Sequence, residues 1–88
     1  MNVIKKDGSK QSFSENKVYD SVKKACLIAQ LDNKACREIP SQVTKLIKTR
    51  VKGKKKIKSD LLFRYCIELL NKIDKDVAFI YETHRDIS

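Results

Sequence analysis

Apolar positions along this chain fall into two different rhythms. Near the start they are sparse: Val3-Ile4-Lys5-Lys6 is short and β-compatible, and Lys10-Gln11-Ser12-Phe13 can return as a second strand. Between them Asp7-Gly8 is a pair favoured in tight hairpin turns, because glycine accepts positive φ at little cost. Two strands alone are marginal in water, so this hairpin must lie on something else. From residue 18 onward the rhythm becomes helical. Val18, Val22, Ala25 and Ala29 recur at spacings of four, three and four, and Tyr19, Cys26 and Ile28 widen the apolar side. Ser14 is placed to cap this helix with its hydroxyl, and Glu15 suits the positive end of the dipole. The pattern runs for about four turns and ends near Gln30.

Asp32 or Asn33 can cap a second helix, in which Ala35, Ile39, Val43, Leu46, Ile47 and Val51 keep one phase. Pro40 lies inside that pattern, where it removes an amide donor and crowds the preceding turn. Because the phase survives Pro40, the pattern predicts one kinked helix rather than two. A lysine-rich loop follows. Ser59 can then cap a third helix, with Asp60 in its first turn and a core stripe of Leu61, Leu62, Tyr65, Cys66, Leu69 and Leu70. Asn71 to Asp74 interrupt the stripe, and Val77, Ala78 and Tyr81, with His84 or Arg85, mark a short terminal helix. The expected fold class is α+β: a small N-terminal β-hairpin packed on a bundle of four α-helices. At 88 residues, this is a single domain, residues 1–88, without repeat or linker.

Composition narrows the function. A chain this short, 41% apolar, fills one modest core and leaves no room for a deep, fully walled cleft. That favours a binding or regulatory module over a self-sufficient catalyst. No apolar run approaches the roughly 18–20 residues needed to span a bilayer, and Met1-Asn2-Val3-Ile4-Lys5-Lys6 lacks the apolar core of a secretory signal. Cys26, Cys36 and Cys66 are odd in number and unpatterned, so reduced thiols in a cytoplasmic protein are expected. Each falls on or beside an apolar helix face, where a small hydrophobe is expected. With a single histidine, His84, they offer no paired metal-ligand spacing. Nothing in the spacing aligns a Cys–His nucleophilic pair either.

Net charge is +9, which points to an anionic partner. In Lys52-Gly53-Lys54-Lys55-Lys56-Ile57-Lys58 five of seven residues are lysine, so about half of that excess sits in one segment. The segment could meet nucleic-acid phosphates, although it has no aromatic stacking platform beside it. Phosphate binding by the hairpin is the other candidate. Lys5 and Lys6 sit at the turn, and Lys17 lies at the start of the following helix. On an alternating strand Lys5 and Lys6 point to opposite faces, so one of them would face a ligand. Val3, Phe13 and Val18 could floor a flat base. Lysines on a half-exposed hairpin are also commonly solvated, and such apolar residues are commonly core. Pattern alone leaves both readings open.

The string Val3-Ile4-Lys5-Lys6-Asp7-Gly8, then Phe13, then Asn16-Lys17-Val18, resembles the opening of the ATP-cone, a V-I-K-R-D-G hairpin followed by a K-I pair in the first helix. Ile57-Lys58-Ser59 resembles that family's I-x-T/S helix entry, and Val77-Ala78-Phe79-Ile80-Tyr81-Glu82-Thr83-His84-Arg85 resembles its closing A-x-x-Y-x-x-x-R helix. The resemblance covers nearly the whole chain in the right order. It implies an allosteric domain that binds ATP or dATP, with Mg²⁺, and changes the conformation or oligomeric state of an attached catalytic domain or partner chain. It further implies that Lys5, Lys6 and Lys17 contact phosphates or ribose, that Val3, Phe13 and Val18 border the adenine, that the Ser59 hydroxyl touches the nucleotide, and that Arg85 closes on the phosphates.

Lys6 replaces a commoner arginine, losing the planar fork. Gln11 stands where an acidic residue is common, which alters a contact to base or sugar, and Phe63 occupies a position that often carries a polar residue. Among the family's settings, ribonucleotide reductases are the expected one. The hairpin begins at residue 3 with no zinc ribbon before it, which speaks against the zinc-ribbon repressor of reductase genes. Two alternatives stay beside this reading: a basic nucleic-acid-binding module, as in the regulatory domain of a nuclease, and a protein-interaction module.

Overall fold

In a computed structural model, the chain forms three short strands and four helices; the structure describes residues 1–84, and Arg85 lies outside them. Strand β1 (Asn2–Ile4) and strand β2 (Lys10–Ser12) pair antiparallel, with Val3 opposite Gln11. The connecting turn is longer than the Asp7-Gly8 pair predicts. Lys5 N–H donates to the Ser9 carbonyl and Gly8 N–H donates to the Lys5 carbonyl, both at 2.9 Å. The loop is therefore the three residues Lys6, Asp7 and Gly8. Gly8 has φ 87°, the left-handed position that closes a three-residue hairpin loop. Asp7 Oδ1 accepts from Ser9 N–H at 2.9 Å, and hydrogen bonding by Ser9 holds the Asp7 carboxyl below its ordinary value.

Helix α1 (Glu15–Ile28) starts where Ser14 Oγ accepts from Lys17 N–H at 3.3 Å, the cap the sequence predicts. It ends in a Schellman arrangement: Leu31 N–H reaches the Cys26 carbonyl and Gln30 N–H reaches the Leu27 carbonyl. Gln30 takes the left-handed position with φ 61°, a place glycine usually holds. Asp32 Oδ1 then accepts from Ala35 N–H at 2.8 Å and opens helix α2 (Ala35–Val51). This helix runs unbroken through Pro40. Thr44 Oγ1 donates to the Pro40 carbonyl at 2.7 Å, one turn on.

The lysine-rich segment is not all loop. Lys56–Lys58 form a third strand, β3, parallel to β1 on the side away from β2, so the sheet order is β2-β1-β3. Val3 pairs with Ile57, and both are buried. β3 runs directly into helix α3 (Ser59–Ile73). That continuity corrects the expected cap: Lys58 holds the cap position without a side-chain bond, and Ser59 is already helical. Asp74 caps helix α4 (Lys75–Thr83), its Oδ1 accepting from Asp76 and Val77 N–H.

Val22, Val43, Ile47, Leu70 and Val77 fill the core where the four helices meet. The predicted stripe of α3 is only partly right, since Cys66 and Leu70 are buried while Leu61, Leu62, Tyr65 and Leu69 are half-buried. Ile28 and Leu46, assigned to apolar faces by spacing, are exposed. All three cysteines are buried free thiols. The inner side of the sheet carries Gln11, Val3 and Ile57 in one row and rests against the helices.

Candidate functional site

An open cavity of about 360 Å³ lies between the inner side of the sheet and helices α1, α3 and α4. That volume is within the range of small-molecule sites. The sheet contributes Val3, Lys5 and Gln11. Their convergence follows from the pleat: Val3 and Lys5 are two residues apart on β1 and its extension, and Gln11 is the partner of Val3. This resolves the choice between the hairpin lysines. Lys5 faces the cavity, whereas Lys6 falls in the turn and is not among the lining residues.

Helix α1 contributes Lys17, Val18, Ser21 and Lys24, with Asp20 beside them. Lys17, Ser21 and Lys24 are at i, i+4 and i+7, so one helix face carries all three. The rim thus holds three ammonium groups, Lys5, Lys17 and Lys24, and one carboxylate, Asp20. Helix α3 contributes Ser59 at its first helical residue, then Leu62, Phe63 and Cys66, and α4 contributes Tyr81.

The back wall is neutral and polar beneath an apolar lining. Tyr81 Oη and Ser21 Oγ are 3.2 Å apart, and Ser21 Oγ donates to the Val18 carbonyl at 2.9 Å. With that proton committed, the Ser21 oxygen accepts from the phenol. The Cys66 thiol lines the same wall. Burial pushes the Cys66 thiol up to about 11 and pushes the Tyr81 phenol above its ordinary range. Both therefore stay protonated at neutral pH and act as hydrogen-bonding groups, not as charges or nucleophiles. The rings of Tyr81 and Phe63 stack, with centroids 5.2 Å apart and planes 23° apart. A flat, neutral ring system fits against such a wall, and a polyanion fits the lysine rim. Among the described residues no group of three or more His, Cys, Asp or Glu side chains could hold a metal ion.

Of the residues singled out in the sequence, Val3, Lys5, Gln11, Lys17, Val18 and Ser59 come together here. Phe13 is not among the lining residues. It extends β2 away from the turn, its N–H donating to the Met1 carbonyl at 2.9 Å, and packs half-buried against the core. One pleat beyond Gln11, it stands about 7 Å farther along the strand. Arg85 falls outside the described residues. Sequence reasoning missed Asp20, Ser21, Lys24, Leu62, Cys66 and Tyr81 as cavity residues. The polar stripe Lys17–Ser21–Lys24 was a readable signal, whereas Leu62, Cys66 and Tyr81 carried the same apolar periodicity as core.

The ATP cone domain model matches residues 1–87. The chain belongs to the ATP cone family, whose domains sense nucleotides and regulate rather than catalyse. Its relatives include proteins named "Transcriptional repressor NrdR". That of Desulforapulum autotrophicum is 31% identical over 78 residues, covering 89% of this chain and 46% of the relative. That of Clostridium perfringens is 31% identical over 90 residues, covering 98% and 59%. That of Carboxydothermus hydrogenoformans is 29% identical over 91 residues, covering 98% and 57%. The chain spans about half the length of the curated relatives it matches. These are repressors, the branch that the sequence reading set aside in favour of a reductase. Among the described residues no helix is long and apolar enough to cross a membrane.

Proposed function

We propose that this chain senses adenine nucleotides by taking ATP or dATP, accompanied by Mg²⁺, into the cavity beneath the sheet. The observation that carries the reading is the pairing of a lysine rim with a neutral, ring-lined wall in a chain of the ATP cone family. In this reading Lys5, Lys17 and Lys24 meet the phosphates, and the Ser59 hydroxyl meets the nucleotide from the start of α3. Val3, Val18, Leu62 and Phe63 border the base. Gln11, Ser21 and Tyr81 supply neutral donors and acceptors for base or sugar edges. Arg85 keeps the phosphate-closing role that the family resemblance implies, and Lys6 and Phe13 act from outside the lining.

Binding becomes regulation only if the two nucleotides favour different states of the domain, because a ligand shifts an equilibrium solely by its differential affinity. The output passes to a partner chain or attached unit in a cytoplasmic setting, which the three free thiols support. The relatives' name supports control of transcription as that output; control of an attached reductase body is the second reading, supported by the family resemblance.

Calorimetric titration of the chain with ATP, dATP and GTP in the presence of Mg²⁺ tests the binding. Saturable binding of ATP or dATP is expected. Lys17→Ala should weaken it about tenfold or more, the scale of one charge-assisted hydrogen bond. Absence of binding by both adenine nucleotides at millimolar concentration refutes the proposal.

A further inference from the structure

The side of the sheet away from the cavity has a composition of its own. Alternation along the three strands sends Val3, Gln11 and Ile57 inward and leaves Asn2, Ile4, Lys10, Ser12, Lys56 and Lys58 on the outer face. The register arranges these in two rows: Ser12, Asn2 and Lys56, then Lys10, Ile4 and Lys58. All three lysines are exposed, no acid stands in either row, and none of the three forms an ion pair among the described residues. Lys10 and Lys58 flank Ile4 from adjacent strands, so about 10 Å separates their backbones, and Lys56 is about 7 Å from Lys58 along β3. The shorter spacing is within the Debye length of about 8 Å at physiological salt and the longer one is near it, so the lysines repel one another most at low salt. The segment that leads into β3 adds Lys52, Lys54 and Lys55, also exposed.

We propose that this outer face, with the lysines that precede β3, docks the phosphate backbone of a DNA duplex. Charge complementarity selects the occupant: a rigid sheet presents its cations at fixed spacing, and the face has no competing carboxylate. No aromatic side chain stands in the two rows, so unpaired bases find no stacking platform, which favours a duplex over a single strand. Contacts of this kind carry no base readout, so binding is independent of sequence and depends steeply on salt. Lysines on edge strands also deter edge-to-edge pairing of sheets. Both β2 and β3 are edges, but that role does not call for a further lysine cluster outside the strands. The inference stands on the sheet register and does not depend on the nucleotide cavity, which opens on the opposite side.

Fluorescence anisotropy with a labelled DNA duplex of arbitrary sequence, over a salt series from about 50 to 200 mM, provides the test. The unmodified chain should bind at low salt. The triple variant Lys10→Gln, Lys56→Gln, Lys58→Gln should weaken binding at least tenfold and flatten the log–log salt dependence by about 2 to 3, since each phosphate contact contributes about 0.9. A control triple variant, Lys23→Gln, Lys72→Gln, Lys75→Gln, removes the same net charge from exposed helix positions and should retain most of the binding. Circular dichroism melts of both variants establish that each is folded, and ATP titration should be unchanged by the sheet triple. Equal losses in the two triples would show a response to net charge alone and overturn the proposal, as would no duplex binding at 50 mM salt. Tighter binding to the single strand, to duplex RNA or to anionic phospholipid vesicles than to duplex DNA would overturn it as well.

Discussion

The two faces of the three-stranded sheet are built from the same residues read alternately, yet they do opposite things. On the inner face each strand contributes one central residue, Gln11, Val3 and Ile57, and two of these are buried core. Outside, Lys10, Lys56 and Lys58 stand around a half-buried Ile4. The inner face is committed to packing and can be polar only at its margins, at Lys5 and Gln11, where the cavity begins. The outer face buries none of its side chains fully and can therefore carry charge. A sheet this small holds a cavity wall and a cationic surface back to back because side chains alternate at every step.

The sharpest way to break this contrast is at Ile57. It is buried and stitches β3 to β1 between two exposed lysines. Ile57→Ala should cost about 2 to 4 kcal/mol in a urea unfolding series, as large-to-small changes at buried sites do. A cost below about 1 kcal/mol would show that β3 adds little to the fold. A smaller effect is expected at the cavity wall. Tyr81→Phe removes the hydroxyl that bonds Ser21 and leaves the stacked ring in place. It should cost about 1 kcal/mol of stability, the net value of one hydrogen bond, and should weaken binding of adenine nucleotide more than it destabilises the protein. Unchanged nucleotide affinity would assign Tyr81 to the core alone. The smallest effect is expected one residue before Ile57. Lys56→Ala removes an exposed charge and should move stability by no more than about 0.5 kcal/mol.

Much of the fold was legible in the sequence because the helices are long enough for their period to declare itself. Ser14 caps α1 where its short polar side chain predicts, Asp32 accepts from Ala35 N–H ahead of α2 although Lys34 holds the cap position, and Pro40 does not divide α2. What escaped were features that depend on a distant partner. In Lys56-Ile57-Lys58 a single apolar residue among lysines looks like loop, and only the parallel pairing with Asn2–Ile4 makes it a strand. The misplaced cap at Ser59 has the same origin, because a strand that runs straight into a helix leaves Lys58 as the boundary. Among the residues that line the cavity, Lys5, Lys17 and Ser59 were singled out through the motifs that resemble the family's. Tyr81 and Cys66 were not, since a buried ring or thiol beside a cavity follows the same periodicity as one in the core.

One consequence of the β1–β3 pairing concerns time. Val3 meets Ile57, so the central strand acquires its parallel neighbour only after both intervening helices have been spanned. Contacts between residues so far apart in sequence pay their loop-closure entropy before they return any stabilisation, and they are slow to form. Helices α1 and α2, adjacent in the chain and packed together, can associate early. The hairpin, in contrast, gains its second edge only when β3 arrives, and β3 arrives attached to α3. The cavity beneath the sheet, walled by residues from both ends of the described chain, is thus expected among the last parts of the molecule to be assembled. A ligand held there would draw the two ends together, acting as a clasp on the order in which the domain opens.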